Sequence, residues 1–306
     1  MTDVMPDPLA LEVRALAAER NAVIFAHNYQ LPEVQDVADV VGDSLELARR
    51  AGASDASVIV LAGVRFMAET AKILAPAKTV LLPAERAGCP MADMITAEQL
   101  AAWKADYPGV PVVMYVNSSA EVKALTDVCC TSANAVEVVR SLGVPKVLFG
   151  PDRNLGTWIA GQLPDVEMVL WNGCCPIHDR VSAEMVLAAK SEHPDARVLA
   201  HPECRPEVIA LADAVLSTSQ MLRYAGAIGE GEIIAVTESG LLHGMAKAAP
   251  GVRVFGVKPA MVCPNMKLTS LVEVRDALRD LAGEVTVPDD TAAAARAAVE
   301  RMTAIG

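Results

Sequence analysis

The sequence is short of basic residues and has no long apolar run. It carries 26 Lys and Arg against 38 Asp and Glu, a net charge of −12, and this excess of acid argues against nucleic acid or an anionic membrane as a partner. No apolar run approaches the roughly 20 residues of a transmembrane helix. The opening residues 1–14 are acidic and lack the apolar core of a secretory signal. We therefore expect a cytoplasmic protein that binds neither nucleic acid nor membrane.

The sequence also lacks the C-x2-C spacing from which structural zinc sites are usually built. An odd count of seven cysteines, without a secretory signal, indicates reduced thiols rather than a disulfide framework. Three of them are instead followed by proline, at Cys89-Pro90, Cys175-Pro176 and Cys263-Pro264, which lie 86 and 88 residues apart. The 19 prolines in 306 residues predict fewer than one such pair by chance. The spacing suggests one structural unit used three times, each copy delivering one thiol to a shared metal centre.

Other landmarks recur at the same spacing, as expected of an internal repeat. An apolar run ends in His27-Asn28-Tyr29, a second in Tyr115-Val116-Asn117 and a third in His201-Pro202-Glu203. Each is followed by a Glu-Val pair, then by an aspartate and, five residues later, by a hydroxyl residue: Asp39 and Ser44, Asp127 and Ser132, Asp213 and Thr218. The order of the landmarks predicts three homologous units of about 85 residues.

Each unit has four apolar runs of strand length, separated by stretches with helical spacing. This alternation predicts parallel βαβ units with helices on both faces of each sheet. The predicted fold class is therefore α/β, with three homologous three-layer αβα domains at 1–84, 85–170 and 171–268 and with closing helices in 269–306 packing on the first. An opening helix is predicted after Asp7-Pro8. The predicted strands are 22–27, 37–41, 57–62, 78–82, 111–116, 127–131, 146–149, 166–171, 197–201, 213–217, 232–236 and 252–257.

All of the repeated polar landmarks stand just after a strand. Ligands bind at the carboxyl ends of the strands in open parallel sheets. If the three sheets are arranged about a pseudo-three-fold axis, those ends face one another, and the active site is the central cavity at the interface of the domains.

Three thiolates from distant points of the chain can hold either zinc or an iron–sulfur cluster. A four-iron cluster with only three protein ligands keeps one iron open as a Lewis acid. The candidate ligands are Cys89, Cys175 and Cys263. Cys174 competes with its neighbour, but only Cys175 has the following proline, so Cys175 is chosen. The other cysteines are interpreted as core or cavity-lining residues without chemistry: Cys129, Cys130 and Cys204.

The repeated hydroxyl residues have two interpretations. Each stands where a strand gives way to a helix, so each can be an ordinary N-cap, or the three together can bind the anionic groups of a substrate. The strand-end set is poor core material and suits proton transfer; it comprises His27, Tyr29, Tyr115, Asn117, His201 and Glu203. His178, three residues after Cys175, stays open as a ligand, a base or a substrate contact. Thr237-Glu238 and Lys267 are further candidate contacts.

Eight segments spread over nearly the whole chain resemble the quinolinate synthase family: A-H-N-Y-Q (26–30), G-D-S (42–44), Y-V-N-S-S (115–119), T-S-A-N (131–134), C-P-I-H (175–178), H-P-E-C (201–204), S-T-S-Q-M (217–221) and C-P-N-M-K (263–267). The resemblance implies three α/β domains about a pseudo-three-fold axis, in agreement with the repeat. It also implies one [4Fe-4S] cluster per chain, with Cys89, Cys175 and Cys263 as its ligands and one iron open.

The resemblance further implies an enzyme that condenses iminoaspartate with dihydroxyacetone phosphate to quinolinate, phosphate and water in de novo NAD biosynthesis, the open iron assisting dehydration. Tyr29 and Glu203 would be the acid/base pair, with His201 as a third catalytic residue. The substrate-binding residues would be His27, Ser44, Tyr115, Asn117, Ser132, His178, Ser217 and Thr218. The implied protein partner is the enzyme that makes iminoaspartate, through a transient contact.

One protein of a different class fits the same repeat: a three-domain binding protein with a structural zinc held by three cysteines. It predicts that the strand-end acid/base residues are dispensable and that the bound metal is zinc without sulfide. The enzyme interpretation predicts the opposite on both counts.

Overall fold

Three four-stranded parallel sheets form the framework of the protein in a computed structural model, which describes residues 7–306. The strands are β1 Ala22–His27, β2 Val40–Gly42, β3 Val58–Ala62, β4 Thr79–Leu81, β5 Val112–Tyr115, β6 Val128–Cys130, β7 Lys146–Gly150, β8 Glu167–Leu170, β9 Arg197–Ala200, β10 Ala214–Val215, β11 Gly231–Val236 and β12 Val252–Gly256. All three sheets have the same order, β2-β1-β3-β4, β6-β5-β7-β8 and β10-β9-β11-β12, and every pairing is parallel. The predicted α/β class is confirmed. Residues 1–6 of the predicted first domain lie outside the described residues.

Helices connect the strands and close the chain. They are α1 Pro8–Glu19, α2 Pro32–Val37, α3 Ser44–Ala53, α4 Arg65–Leu74, α5 Ala97–Asp106, α6 Ala120–Ala124, α7 Ala135–Ser141, α8 Arg153–Gln162, α9 Pro176–Asp179, α10 Ala183–Glu192, α11 Pro206–Ile209, α12 Thr218–Ile228, α13 Leu241–Ala248, α14 Leu271–Asp280 and α15 Asp289–Ala304, with short 3₁₀ helices at Ala92–Met94 and Met266–Leu268. Within residues 7–306, none of these helices combines the length and the apolar character needed to cross a membrane.

Both faces of the first sheet are buried, as its continuous apolar runs predict. In β3, Ile59 and Leu61 belong to one apolar cluster, whereas Val58 and Val60 belong to another. The split follows from strand geometry, because successive side chains point to opposite faces of a sheet. The sheet is therefore the middle layer of an αβα arrangement.

The repeated aspartates make the same contact in all three sheets. The carboxylates of Asp39, Asp127 and Asp213 accept the backbone N–H of the residue fifteen positions earlier, at 2.8, 2.8 and 2.7 Å. Each aspartate also donates its own backbone N–H to the carbonyl of that residue. These paired bonds join the central strand to the start of its edge neighbour, so the aspartates set the register of that pairing.

The terminal helices begin close to the predicted positions. Asp7 caps α1 by accepting the N–H of Leu9 at 2.9 Å, and Pro8 occupies the first helical turn. Helix α14 packs against α1 and β3, whereas α15 packs against α6 and β6 as well as α3 and α4. The last helix thus bridges the first two repeats. The domain boundaries at 84 and 170 stay predictions.

Candidate active site

A cavity of about 210 Å³ lies where the ends of strands from all three repeats come together. Its lining includes most of the site residues predicted from the sequence: His27, Tyr29, Ser44, Cys89, Tyr115, Asn117, Ser132, Cys175, His178, His201, Glu203, Thr218, Glu238 and Cys263. Ser217, Thr237 and Lys267 are not part of the lining. Each of the three cysteines follows the last strand of a different sheet: Cys89 follows β4, Cys175 follows β8 and Cys263 follows β12. Residues up to 236 positions apart in sequence therefore share one site.

The hydroxyl residues are not N-caps in the way that one interpretation of the repeat expects. The caps of α3 and α12 are the preceding residues, Asp43 and Ser217, whose side chains accept backbone N–H groups of the first turn. Ser44 and Thr218 are the first residues of those helices and line the cavity. Because the neighbour already caps the helix, the two hydroxyls can donate to a ligand, although Thr218 Oγ1 already accepts from Asn28 Nδ2 at 2.9 Å. Ser217 is fully buried in its capping role.

Each Cys-Pro pair opens a turn that is tied to the helix after the third strand of its repeat. A backbone N–H at or just before the start of each helix donates to the carbonyl two positions before the cysteine. Arg65 and Arg153, the first residues of α4 and α8, donate to Ala87 and Gly173, both at 2.8 Å, and Ser239, two residues before α13, donates to Met261 at 2.7 Å. A Cβ on Gly173 would lie 2.5 Å from the carbonyl oxygen of Pro151. The approach of the two backbones is therefore too close for any side chain.

Backbone N–H groups that follow the cysteines point back at the sulfur atoms. Met91 and Ala92 donate to Cys89, His178 donates to Cys175, and Asn265 and Met266 donate to Cys263. Burial nevertheless raises the pKa of Cys89 to about 12, and it also raises the pKa of Cys175 and Cys263. All seven cysteines, which lie within residues 7–306, are free thiols. Three partly buried thiols with aligned amides and no disulfide suit a metal group, whose charge favours the thiolate.

Two buried carboxylates accept the backbone N–H groups of two of the three cysteines and so fix the turns that these cysteines begin. Asp152 accepts the N–H of Cys175 at 2.9 Å, and Glu238 accepts the N–H of Cys263 at 3.0 Å. Asp152 is not among the residues predicted from the sequence, although its place between the predicted strand 146–149 and the following helix was a signal that could have found it. Glu238 is also paired with Lys267, at 3.0 Å.

A chain of hydrogen bonds crosses the cavity wall and joins the first repeat to the third. The Tyr29 hydroxyl lies 2.6 Å from Thr237 Oγ1, which lies 3.1 Å from His178 Nε2. On the other side of the ring, His178 Nδ1 lies 2.7 Å from Glu203 Oε2. A carboxylate only accepts, so His178 donates from Nδ1, and in the neutral ring Nε2 is then an acceptor. Tyr29 then donates to Thr237, and Thr237 donates to His178.

The second phenol of the site belongs to the same network. The Tyr115 hydroxyl donates to Glu203 Oε1 at 2.7 Å. Burial alone raises the pKa of Glu203, but the nearby His201 and His178 and the hydrogen bonds from His178 and Tyr115 outweigh it, so this pKa lies below its usual range. Burial and the Glu203 charge raise the pKa of Tyr29 and Tyr115 well above 10. The network thus holds two neutral phenols around one carboxylate.

His27 and His201 occupy equivalent positions and have equivalent local bonds. His27 Nδ1 accepts the N–H of Tyr29 at 3.2 Å, and His201 Nδ1 accepts the N–H of Glu203 at 3.3 Å. The proton of each neutral ring is therefore on Nε2. Burial lowers the pKa of His27 to about 4 and that of His201 to about 3. Both rings are neutral hydrogen-bond donors at neutral pH.

The loop that carries Tyr29 is anchored to the third repeat. Lys267 donates to the backbone carbonyl of Tyr29, and Gln35 Nε2 donates to the carbonyls of Gln30 and Gly240, both at 2.9 Å. A Cβ on Gly240 would lie 2.6 Å from the Tyr29 carbonyl oxygen. Lys267 was predicted as a contact from the sequence, whereas Gln35 was not, because an amide within a short helix has no distinguishing pattern.

The remaining cysteines lie apart from the cavity lining. Cys129, Cys130 and Cys204 are fully buried, in agreement with their interpretation as core residues. Cys174 is partly exposed and does not line the cavity, whereas Cys175 does. One further set of metal-ligating types stands out among residues 7–306: the ligand atoms of Cys175, His178 and Glu203 all lie within 4.8 Å of one another.

Comparison with known proteins agrees with the motifs. The family model of the quinolinate synthetase A protein matches residues 11–304. The chain is 53% identical over 294 residues to a quinolinate synthase of Methanoregula boonei, covering 96% of this chain and 97% of the relative. It is 52% identical over 299 residues to one of Geobacter metallireducens, covering 98% of each. It is 50% identical over 291 residues to one of Thermodesulfovibrio yellowstonii, covering 95% and 96%. The chain therefore belongs to the quinolinate synthetase A family of enzymes.

Proposed function

We propose that this chain is a quinolinate synthase that condenses iminoaspartate with dihydroxyacetone phosphate to quinolinate, phosphate and water, in de novo NAD biosynthesis. Family membership supports the reaction, and the observation that carries it furthest is that three free cysteines and a proton relay meet at one cavity. A cytoplasmic location and a transient contact with the enzyme that makes iminoaspartate belong to the same proposal.

The proposed cofactor is one [4Fe-4S] cluster held by Cys89, Cys175 and Cys263. Each of these residues lines the cavity, each sulfur accepts backbone N–H groups, and each turn is tied to a helix start. When bound through only three cysteines, such a cluster supplies an open iron that acts as a Lewis acid for loss of water. Because burial keeps these thiols neutral in the absence of a cation, the three thiols release their protons when the cluster binds.

Proton transfer is assigned to the relay from Tyr29 to Glu203. Tyr29 lines the cavity at one end of the relay, and its proton can pass to Thr237 while the Thr237 proton passes to His178. His178 in turn delivers its Nδ1 proton to Glu203. Run in reverse, the same chain returns a proton to the substrate. Tyr115 holds the other oxygen of Glu203 and so orients it.

Substrate binding is assigned to donors that are not already engaged. Ser44 and Thr218 lie at the N-terminal ends of α3 and α12, where backbone N–H groups and the helix dipole favour carboxylate or phosphate. His27 and His201 present Nε2–H to the cavity as neutral donors. Asn117 Oδ1 is buried without a hydrogen-bond partner among residues 7–306, which is costly unless a ligand supplies a donor. The acidic chain thereby keeps a cavity suited to anions.

The test is metal and acid-labile sulfide analysis of chain purified without oxygen, followed by an assay of quinolinate formation. The proposal expects about four irons and four sulfides per chain and activity that Tyr29→Phe and Glu203→Gln each abolish. Zinc without sulfide that persists after anaerobic reconstitution would support the alternative binding protein instead. Full activity in both variants would remove the relay from the mechanism.

A further inference from the structure

Cys175, His178 and Glu203 form a compact set of three metal-ligating side chains. His178 Nδ1 lies 3.3 Å from Cys175 Sγ and 2.7 Å from Glu203 Oε2, and all three ligand atoms lie within 4.8 Å of one another. His178 and Glu203 are buried. The proton on His178 Nδ1 therefore has two acceptors within reach, Cys175 Sγ and Glu203 Oε2. A cation at the same position would take the place of this proton and bind all three side chains.

We propose that these three residues form a mononuclear site for a divalent cation of the zinc type, which the chain binds instead of the cluster. Thiolate, imidazole and carboxylate are all zinc ligands, and three protein ligands leave a fourth, open position for water. The inference concerns the cluster-free chain and does not depend on the reaction proposed above.

The geometry requires only a small adjustment. Zinc–ligand distances of 2.0–2.3 Å in a tetrahedral site place nitrogen and oxygen ligands about 3.3 Å apart, and nitrogen and sulfur about 3.5 Å apart. The present distances are 2.7 and 3.3 Å, so the Glu203 carboxylate has to withdraw by about half an ångström. Tyr115 keeps its hydrogen bond to the other oxygen of Glu203. It would thereby orient the Glu203 carboxylate without binding the ion itself.

Charge also fits a divalent ion. Ionised Cys175 and Glu203 supply two negative charges, and His178 binds as a neutral ring. The Lys267 ammonium, on the turn that follows Cys263, is already paired with Glu238 at 3.0 Å. On binding, Cys175 releases its proton, and the single His178 proton moves from Nδ1 to Nε2. One proton is released per ion, and the site is neutral.

Binding of this ion excludes both the cluster and the relay. Cys175 is shared with the proposed cluster, so the two metal groups cannot be present together. The proton on His178 Nε2 faces Thr237, so Thr237 can no longer donate to the ring, and the path from Tyr29 to Glu203 is broken. A zinc-loaded chain is therefore an inactive state that must release its ion before a cluster assembles.

Cobalt titration of cluster-free full-length chain tests the site, because Co²⁺ reports thiolate ligation through its absorption. The proposal expects one Co²⁺ per chain with a thiolate charge-transfer band. Cys175→Ser should remove that band. His178→Gln and Glu203→Gln should weaken binding by more than the roughly 10- to 100-fold that loss of an outer-shell partner costs.

Cys89→Ser and Cys263→Ser are the decisive controls. Both remove a proposed cluster ligand but none of the three mononuclear ligands, so both should bind Co²⁺ with the wild-type spectrum while failing to assemble a cluster. Loss of the band in either variant would place the ion among the three cysteines and overturn the proposal. Unchanged binding in both His178→Gln and Glu203→Gln would overturn it as well. Cys174→Ser should behave as wild type, and far-ultraviolet circular dichroism shows that each variant is folded.

Competition supplies a second readout. Zinc added before iron and sulfide should block the rise of the cluster absorption in the wild-type chain, and a zinc chelator should restore it. In His178→Gln the same zinc concentration should block assembly at least about tenfold less effectively. Equal inhibition in the two proteins would contradict the assignment of His178 as a ligand.

Discussion

The hydroxyl groups of Tyr29 and Thr237 lie 2.6 Å apart although 208 residues separate them in the sequence. Thr237 also faces His178 Nε2, at 3.1 Å, so it is the only link between the phenol and the ring in the described relay. A methyl group at this position keeps the volume but can neither accept from Tyr29 nor donate to His178.

Thr237→Val should therefore lower kcat by about 10²-fold, the lower end of what general acid–base catalysis contributes. Thr237→Ser retains the hydroxyl and should stay within about tenfold of wild type. The measurement is quinolinate formation at saturating substrate, with iron content determined for each protein. A kcat for Thr237→Val equal to that of the serine variant would show that no proton passes through this residue.

The cysteine turns give a prediction about cluster content. Cys175→Ser should lose the cluster, whereas Cys174→Ser should keep about four irons per chain, because only Cys175 lines the cavity. Anaerobic reconstitution followed by iron and sulfide analysis measures this. The reverse pattern would assign the middle ligand to Cys174.

The Lys267–Glu238 pair should matter for stability as well as for the site. Glu238 is fully buried, so Lys267→Met leaves an uncompensated carboxylate and should lower the free energy of unfolding by about 3 kcal/mol. Lys247→Met is the matched control, because Lys247 is 61% exposed in its pair with Asp36 and should cost less than about 1 kcal/mol. Urea denaturation measures both. Equal effects of the two substitutions would contradict this account of the buried pair.

Stability should fall as the pH falls from neutral, in part because of His27. Burial lowers the pKa of His27 to about 4 in the folded chain, whereas the unfolded chain has an ordinary value of about 6.5. Between these values the unfolded state binds a proton that the folded state does not, so protonation favours unfolding. His27 alone should account for a loss of about 2 kcal/mol between pH 7 and pH 5. His27→Gln should show a correspondingly shallower pH dependence in denaturant titrations, and an unchanged slope would contradict the assignment.

The repeated aspartates should contribute to the folding of each sheet. Asp213→Ala leaves the backbone N–H of Val198 without its 2.7 Å acceptor and should lower the free energy of unfolding by about 1–3 kcal/mol. Asp195→Ala, at an exposed position of the same repeat, should change it by less than about 0.5 kcal/mol. Similar values for the two variants in urea denaturation would mean that this contact does not stabilise the sheet.

Much of the site could be predicted because its members stand at repeated positions. His27, Tyr115 and His201 were found from one landmark, and the structure brings all three to the same cavity. Asp152 and Gln35 were missed, since neither belongs to a motif that recurs in all three copies. The N-cap interpretation of Ser44 and Thr218 was wrong because Asp43 and Ser217 cap those helices one residue earlier. Whether a hydroxyl caps the helix or faces a ligand therefore depends on the position of the helix start to within one residue.

The sequence by itself determined the parallel α/β architecture, the three copies and the three Cys-Pro turns. These depend on apolar periodicity and on short segments, which are properties of neighbouring residues. Only the tertiary structure decided that His178 donates to Glu203, that Thr237 joins it to Tyr29, and that Asp152 holds Cys175. Such contacts depend on how the sheets are placed against one another to within a few tenths of an ångström. Packing of whole repeats sets those distances, and no local pattern in the chain encodes them.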